Sequence, residues 1–249
     1  MSGHNKWASI KHKKMAMDAR RGKMFTKIIR EIMMAAKLGG GNPESNPHLR
    51  MAIERARSIN MPNDNIQRAI KKGTGEEGGV MLEAVGYEGY GPGGVAILVE
   101  TLTDNKRRTA AEIRSIFSRH SGNLGESGCV SWMFERKGVV TIKNKEIDEE
   151  KLLSLVLDAG AEDLKLDNDV FEIVCAPDKL ESVKKTLEEN KIPVESASVT
   201  LIPKNTVRVE GKEAEQLLKL LDELEEHDDV QHVHSNFDIP DELIEAMSR

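Results

Sequence analysis

Phe25, Ile28, Ile29, Ile32 and Ala36 recur at spacings of three and four and predict an amphipathic helix over residues 23–38. Gly22 is expected at its entrance, because a mid-helix glycine costs about 1 kcal/mol. Gly39, Gly40 and Gly41 end it. Asn46 followed by Pro47 reads as a cap with proline in the first turn. The helix it opens turns Leu49, Ala52, Ile53, Ala56 and Ile59 inward. A third helix follows Pro62, buries Ile66, Ala69 and Ile70, and is expected to stop at Gly73. Three short helices with small apolar faces make a helical domain, residues 1–75. The stretch GTGEEGGV, residues 73–80, reads as a flexible linker.

Beyond it the period shortens. Strands are predicted at 81–90, 95–103 and 130–136, with a helix at 106–120. From Lys137 the pattern reads strand 138–143, helix 148–159, strands 163–167 and 170–175, helix 178–190, strand 194–202. That order is the split β-α-β-β-α-β arrangement. Strand 206–210, helix 212–226 and strand 230–236 are too few to fold alone, and joined to 81–136 they complete a second sandwich. The expected class is α+β multidomain: a three-helix domain, then two ferredoxin-like α+β sandwiches, one inserted in the other. The expected divisions are 1–75, 80–136 with 204–239, and 137–203.

Charge changes this picture. The chain carries a net −6, yet residues 1–72 hold 16 Lys and Arg against 5 Asp and Glu, and the remainder 20 against 37. Such asymmetry marks a polyanion-binding module joined to a body with another task. With 39% hydrophobic and 31% charged residues the chain is neither disordered nor membrane-spanning, and no leader-like apolar core follows the first charges. Cys129 and Cys175 are far apart, which predicts buried thiols in a reducing cytoplasm and no disulfide or zinc framework.

The candidate chemistry is concentrated near the start. Lys6, Lys11, His12, Lys13, Lys14, Arg20 and Arg21 form a basic arm around Trp7, with His4 beside them. Trp7 either stacks on an unpaired base, wedges into a duplex step, or folds back onto the helical domain. Lys23, Lys27, Arg30 and Lys37 extend the arm as a ridge opposite the apolar stripe of the first helix. The ridge is either a solvated face or a polyanion grip. Lys106, Arg107 and Arg108 sit where a helix starts; they seat a phosphate there, or they are solvated while Asp104 caps the helix. No helix offers a conspicuous set of Asn, Gln and Arg to base edges, so recognition is expected to be weak or shape-based.

Enzyme signatures are missing. GYEGYGPGG lacks a P-loop ending, and neither G-x-S-x-G nor H-E-x-x-H occurs. His232 and His234 share a strand face, which suits either a metal site or, in the preferred reading, a solvated edge strand.

Long segments resemble the YebC/PmpR family: SGHNKWASIKHKKMAMDARRGKMFTKIIREI, MPNDNIQRAIKKGTGE, YEGYGPGGVAILVETLTDNKRRTAAEIR, GNLGESGCVSWMFERKG and DDVQHVHSNFDIP. The resemblance covers nearly the whole chain and implies one helical and two α+β domains. It implies a cytoplasmic, DNA-binding transcriptional regulator, or a translation factor that relieves ribosomes stalled at proline-rich stretches. A mitochondrial relative activates translation of a cytochrome c oxidase subunit. By position, the family's basic motif falls on Lys6, Trp7, Lys11, His12 and Lys13, and its helix on Arg21, Lys23, Lys27 and Arg30. Lys106, Arg107 and Arg108 lie in another family motif. His232 and His234 depart from the family pattern, which weakens the metal reading.

The expectation is a non-enzymatic regulator without cofactor, metal or small-molecule substrate, whose partner is nucleic acid and with it the transcription machinery or the ribosome. DNA comes first, ribosomal RNA second, and a protein–protein adaptor third.

Overall fold

The structure, a computed structural model, describes residues 17–76, 78, 81–143, 147–167 and 169–240. It is α+β, with antiparallel four-stranded sheets following a helical region. The chain divides into two compact units. One holds residues 132–208 with Asn236–Asp238; the other holds the described residues before Trp132 together with Val209–Ser235.

In the second of these, α1 (Met17–Gly39), α2 (Pro47–Ser58) and α3 (Asn63–Thr74) form the bundle. Its core is the one the periodicity predicts: Ile28 and Ile32 of α1 meet Leu49, Ala52 and Ile53 of α2 and Ile66, Ala69 and Ile70 of α3. Asn46 ties two ends together. Its side chain caps Leu49 N–H at 3.1 Å and donates to the carbonyls of Ala35 at 2.8 Å and Gly40 at 2.9 Å.

Two glycines differ from expectation. α1 begins well before Gly22, so Gly22 lies inside the helix, and a Cβ there would meet nothing within 4 Å. Gly73 is likewise helical rather than part of a linker, and α3 runs to Thr74 before Gly75 closes it in the left-handed region. A Cβ on Gly73 would lie 2.4 Å from the Met33 carbonyl oxygen and 2.8 Å from Ala36 Cβ. Alanine substitutions should therefore have opposite signs. Gly22→Ala is expected to stabilise by about 0.5–1 kcal/mol, and Gly73→Ala to destabilise by about 1–3 kcal/mol through overpacking. Urea midpoints of the two variants against the parent chain check both.

The same unit carries the first sheet, in the order β3-β1-β2-β9. β1 (Glu83–Tyr90) and β2 (Ala96–Thr103) form a hairpin, β3 (Asn123–Leu124) lies outside β1, and β9 (Val230–Ser235) pairs with β2. α4 (Lys106–Arg119) and α7 (Gly211–Glu226) cover one face through Ile113, Phe117, Leu217 and Leu221. The predicted strand at 130–136 does not begin at 130. Glu88, 9% exposed, takes the N–H groups of Gly128, Val130 and Ser131, each at 2.8 Å, which removes them from any ladder. Burial opposes the charged carboxylate, yet those three donors outweigh it and hold its pKa below the usual value.

The other unit is the predicted β-α-β-β-α-β sequence. It runs β4 (Phe134–Lys143), α5 (Glu149–Asp158), β5 (Ala161–Asp167), β6 (Val170–Cys175), α6 (Leu180–Glu189), β7 (Val194–Pro203). The sheet order β5-β6-β4-β7 is that of the ferredoxin-like split arrangement, and all its pairs are antiparallel. Its core joins Val140, Ile142, Phe171 and Ile173 to Leu152, Val156, Val183 and Leu187 of the helices. Cys175 is buried and Cys129 half-buried, and neither forms a disulfide among the described residues. β8 (Val207–Arg208) pairs in parallel with β10 (Phe237–Asp238), which shortens the strand expected at 206–210.

Candidate nucleic-acid interface

Lys6, Trp7, Lys11, His12, Lys13 and Lys14 lie outside the described residues, as do the side chains of Arg20 and Arg21 on the first turns of α1. The remaining candidates are placed, and all but Arg107 contact acceptors within the chain.

The α1 ridge does not stand open. Lys23 Nζ reaches Glu226 at 3.3 Å, and Lys27 Nζ donates to the Glu225 carbonyl at 2.6 Å. Both contacts lie in the last turn of α7, where uncompensated carbonyls carry the negative end of the helix dipole and favour cations. Arg30 donates to the Leu102 carbonyl at 2.7 Å and pairs with Asp229. Lys37 donates to the Leu82 carbonyl at 2.9 Å. These contacts join the ridge to the acidic body of its own unit.

Asp229 is the centre of that contact. Its side chain is 2% exposed and receives Arg30, Arg108 at 3.0 Å and the Thr109 hydroxyl at 2.6 Å. Burial disfavours the carboxylate, but the hydrogen bonds from Thr109, Arg30 and Arg108 override it and hold the group far below the ordinary aspartate range. Sequence reasoning missed Asp229. The available signal was the strong acidity of the body opposite a basic ridge in one chain.

The cluster at the start of α4 is divided in the same way. Asn105 caps the helix, accepting from Arg108 N–H at 3.1 Å; Asp104 instead pairs with the Arg108 side chain at 2.7 Å. Lys106 pairs with Glu83. Arg107 alone of the three is exposed without a partner among the described residues.

Two other clusters resolve into internal pairing. Glu112, His227 and Asp229 lie within 4.8 Å of one another, a spacing that could hold a metal ion. Asp229 N–H donates to His227 Nδ1 at 3.1 Å, which leaves His227 Nε2 to donate to Glu112 at 2.9 Å. With two guanidinium groups already on Asp229, a further cation there would be repelled. His234, expected on a solvated edge, is buried and meets Glu100 at 3.2 Å, while His232 beside it is exposed.

What remains open is a face the sequence did not single out. Arg57 at the end of α2, and Arg68 and Lys72 on α3, are exposed and have no carboxylate partner among the described residues. Gln67 and Lys71 extend that face along α3. α3 buries Ile66, Ala69 and Ile70 against α1, which turns these polar positions outward.

Residues 5–76 match a family model described as the TACO1/YebC protein N-terminal domain, and residues 82–237 match that of the TACO1/YebC second and third domain. The chain belongs to the TACO1/YebC family. A relative from Natranaerobius thermophilus named "Probable transcriptional regulatory protein" is 57% identical over 249 residues, covering 99% of this chain and 100% of its own. One of the same name from Carboxydothermus hydrogenoformans is 58% identical over 244 residues, covering 97% and 100%. Within the TACO1/YebC family, the crystal structure of a conserved hypothetical protein from Aquifex aeolicus aligns with a TM-score of 0.80 at 51% identity, covering 91% of this chain and 93% of that one. No helix among the described residues is long and apolar enough to cross a membrane.

Proposed function

We propose that this protein is a non-enzymatic, cytoplasmic regulator of transcription that grips duplex DNA through its basic N-terminal part. The observation that carries the reading is the division of cations in the bundle. Lys23, Lys27 and Arg30 of α1 are engaged by the acidic body, whereas Arg57, Arg68 and Lys72 face outward without carboxylates among the described residues, in a chain whose sequence opens with a lysine-rich arm. A surface of one sign on a chain of the opposite sign attracts a polyanion and directs it to that surface. The names of the relatives support the same reading. In it, residues 1–75 are the gripping module, and residues 80–136 with 204–239 and the inserted 137–203 are the acidic body that faces partners. Trp7 adds a stacking or wedging contact, and Arg107 a further phosphate contact.

Crosslinking in cells, followed by sequencing of the recovered fragments, tests this. Chromosomal DNA is the expected product. Recovery of ribosomal RNA would favour the translation reading, for which a tryptophan among lysines is also suited. Recovery of neither would favour a protein–protein adaptor.

A further inference from the structure

We infer that α3 is a base-reading helix, presented to the major groove of duplex DNA by a helix-turn-helix made of α2 and α3. The inference rests on the DNA-binding reading above and goes beyond it, because it assigns sequence selectivity and the residues that supply it.

The connection between the two helices is four residues long, and it is rigid. Asn60 N–H donates to the Arg57 carbonyl at 2.9 Å and Met61 N–H to that of Ala56 at 3.0 Å, the paired bonds of a Schellman closure. Asn60 takes the left-handed conformation this closure needs, with φ 58°, and Met61 is buried beneath it. Pro62 then starts α3 at once. A short turn of this kind between two helices that share a core is the frame in which the second helix enters a groove.

α3 is held hard against α1. The close approach at Gly73 and the burial of Ile66, Ala69 and Ile70 fix which side faces outward. That side carries Asp64, Gln67, Arg68 and Lys71, all exposed, at positions i, i+3, i+4 and i+7. Residues so spaced form one stripe that a single groove can meet. The side-chain types suit base edges: an amide pairs with adenine, a guanidinium or ammonium with guanine, and a carboxylate accepts from the cytosine amino group. Arg57 and Lys72 flank the stripe, where phosphates would pass. Asp64 is the one acid on it; in the first turn it complements the helix dipole, and in a groove it would accept from a cytosine amino group. The helix is 12 residues long, about 18 Å, enough to span the major groove.

Gln67 gives the cleanest test, since it is neutral and its removal leaves the phosphate attraction unchanged. Full-length chain is first used to select sequences from a randomised duplex library. A short enriched motif is expected. Gln67→Ala should then lower affinity for the selected duplex about tenfold and relax the preference at one base pair. Its affinity for random duplex should stay within about threefold of the parent. Lys72→Ala should weaken both duplexes alike and reduce the salt slope by about one. Both positions are exposed and alanine favours helix, so unchanged thermal melting shows that neither result reflects unfolding. If duplex is bound but no motif is enriched, or Gln67→Ala keeps the parent's preference, the base-reading role falls and the DNA-binding reading stands. If no duplex is bound at all, both fall.

Discussion

Replacing Asp229 with alanine is expected to destabilise the unit containing the bundle and first sheet by about 3 kcal/mol, read from urea unfolding at neutral pH. The substitution removes the acceptor for two guanidinium groups and the Thr109 hydroxyl at once. Removing one partner of a buried pair costs about 3–5 kcal/mol, and the lower end applies because Arg108 is 42% exposed and keeps water. The pH dependence has a definite sign. The folded-state pKa of Asp229 is depressed, so its contribution is complete above the ordinary aspartate value of 3.8 and is lost as pH falls through that value toward the folded one. Asp229→Ala should therefore remove part of the acid sensitivity of the parent chain. An equal loss of stability in parent and variant below pH 3.8 would contradict this.

Changing Lys6, Lys11, Lys13 and Lys14 together to glutamine should lower duplex DNA affinity by about 10²–10³-fold near physiological salt and reduce the log–log salt slope by about 3–4. The paired substitution of Lys23 and Lys27 is expected to behave differently. Their ammonium groups are engaged by Glu226 and the Glu225 carbonyl, so DNA affinity should change less than about threefold while unfolding begins at lower urea. A fluorescence anisotropy titration at several salt concentrations separates the two. If the Lys23 and Lys27 variant loses as much affinity as the arm variant, the ridge binds DNA and its internal contacts open when DNA arrives.

Local pattern made most of the fold legible. The inward faces of α1, α2 and α3 and the β-α-β-β-α-β order follow from spacings of three, four and two, which neighbouring residues encode. What escaped depends on partners distant in sequence. Gly73 looked like the start of a linker because its reason, the Met33 carbonyl, lies on another helix. Residues 130–133 looked like a strand because Glu88, which takes the N–H groups of Val130 and Ser131, lies on β1. The ridge looked like a phosphate grip because its acceptors are 45 to 203 residues away. The α3 face was hidden for the converse reason. Its charges are ordinary for a solvated helix, and they stand out only once the rival cations prove to be occupied.

α1 is gripped from both sides, its apolar stripe by α2 and α3 and its charged edge by α7, Leu102 and Asp229. A polarity rule would score Arg30 as a surface residue, open to exchange for any hydrophilic side chain. It should instead tolerate replacement as poorly as Ile32, so natural or clinical variants along this helix are best ranked by neighbourhood, not by hydropathy.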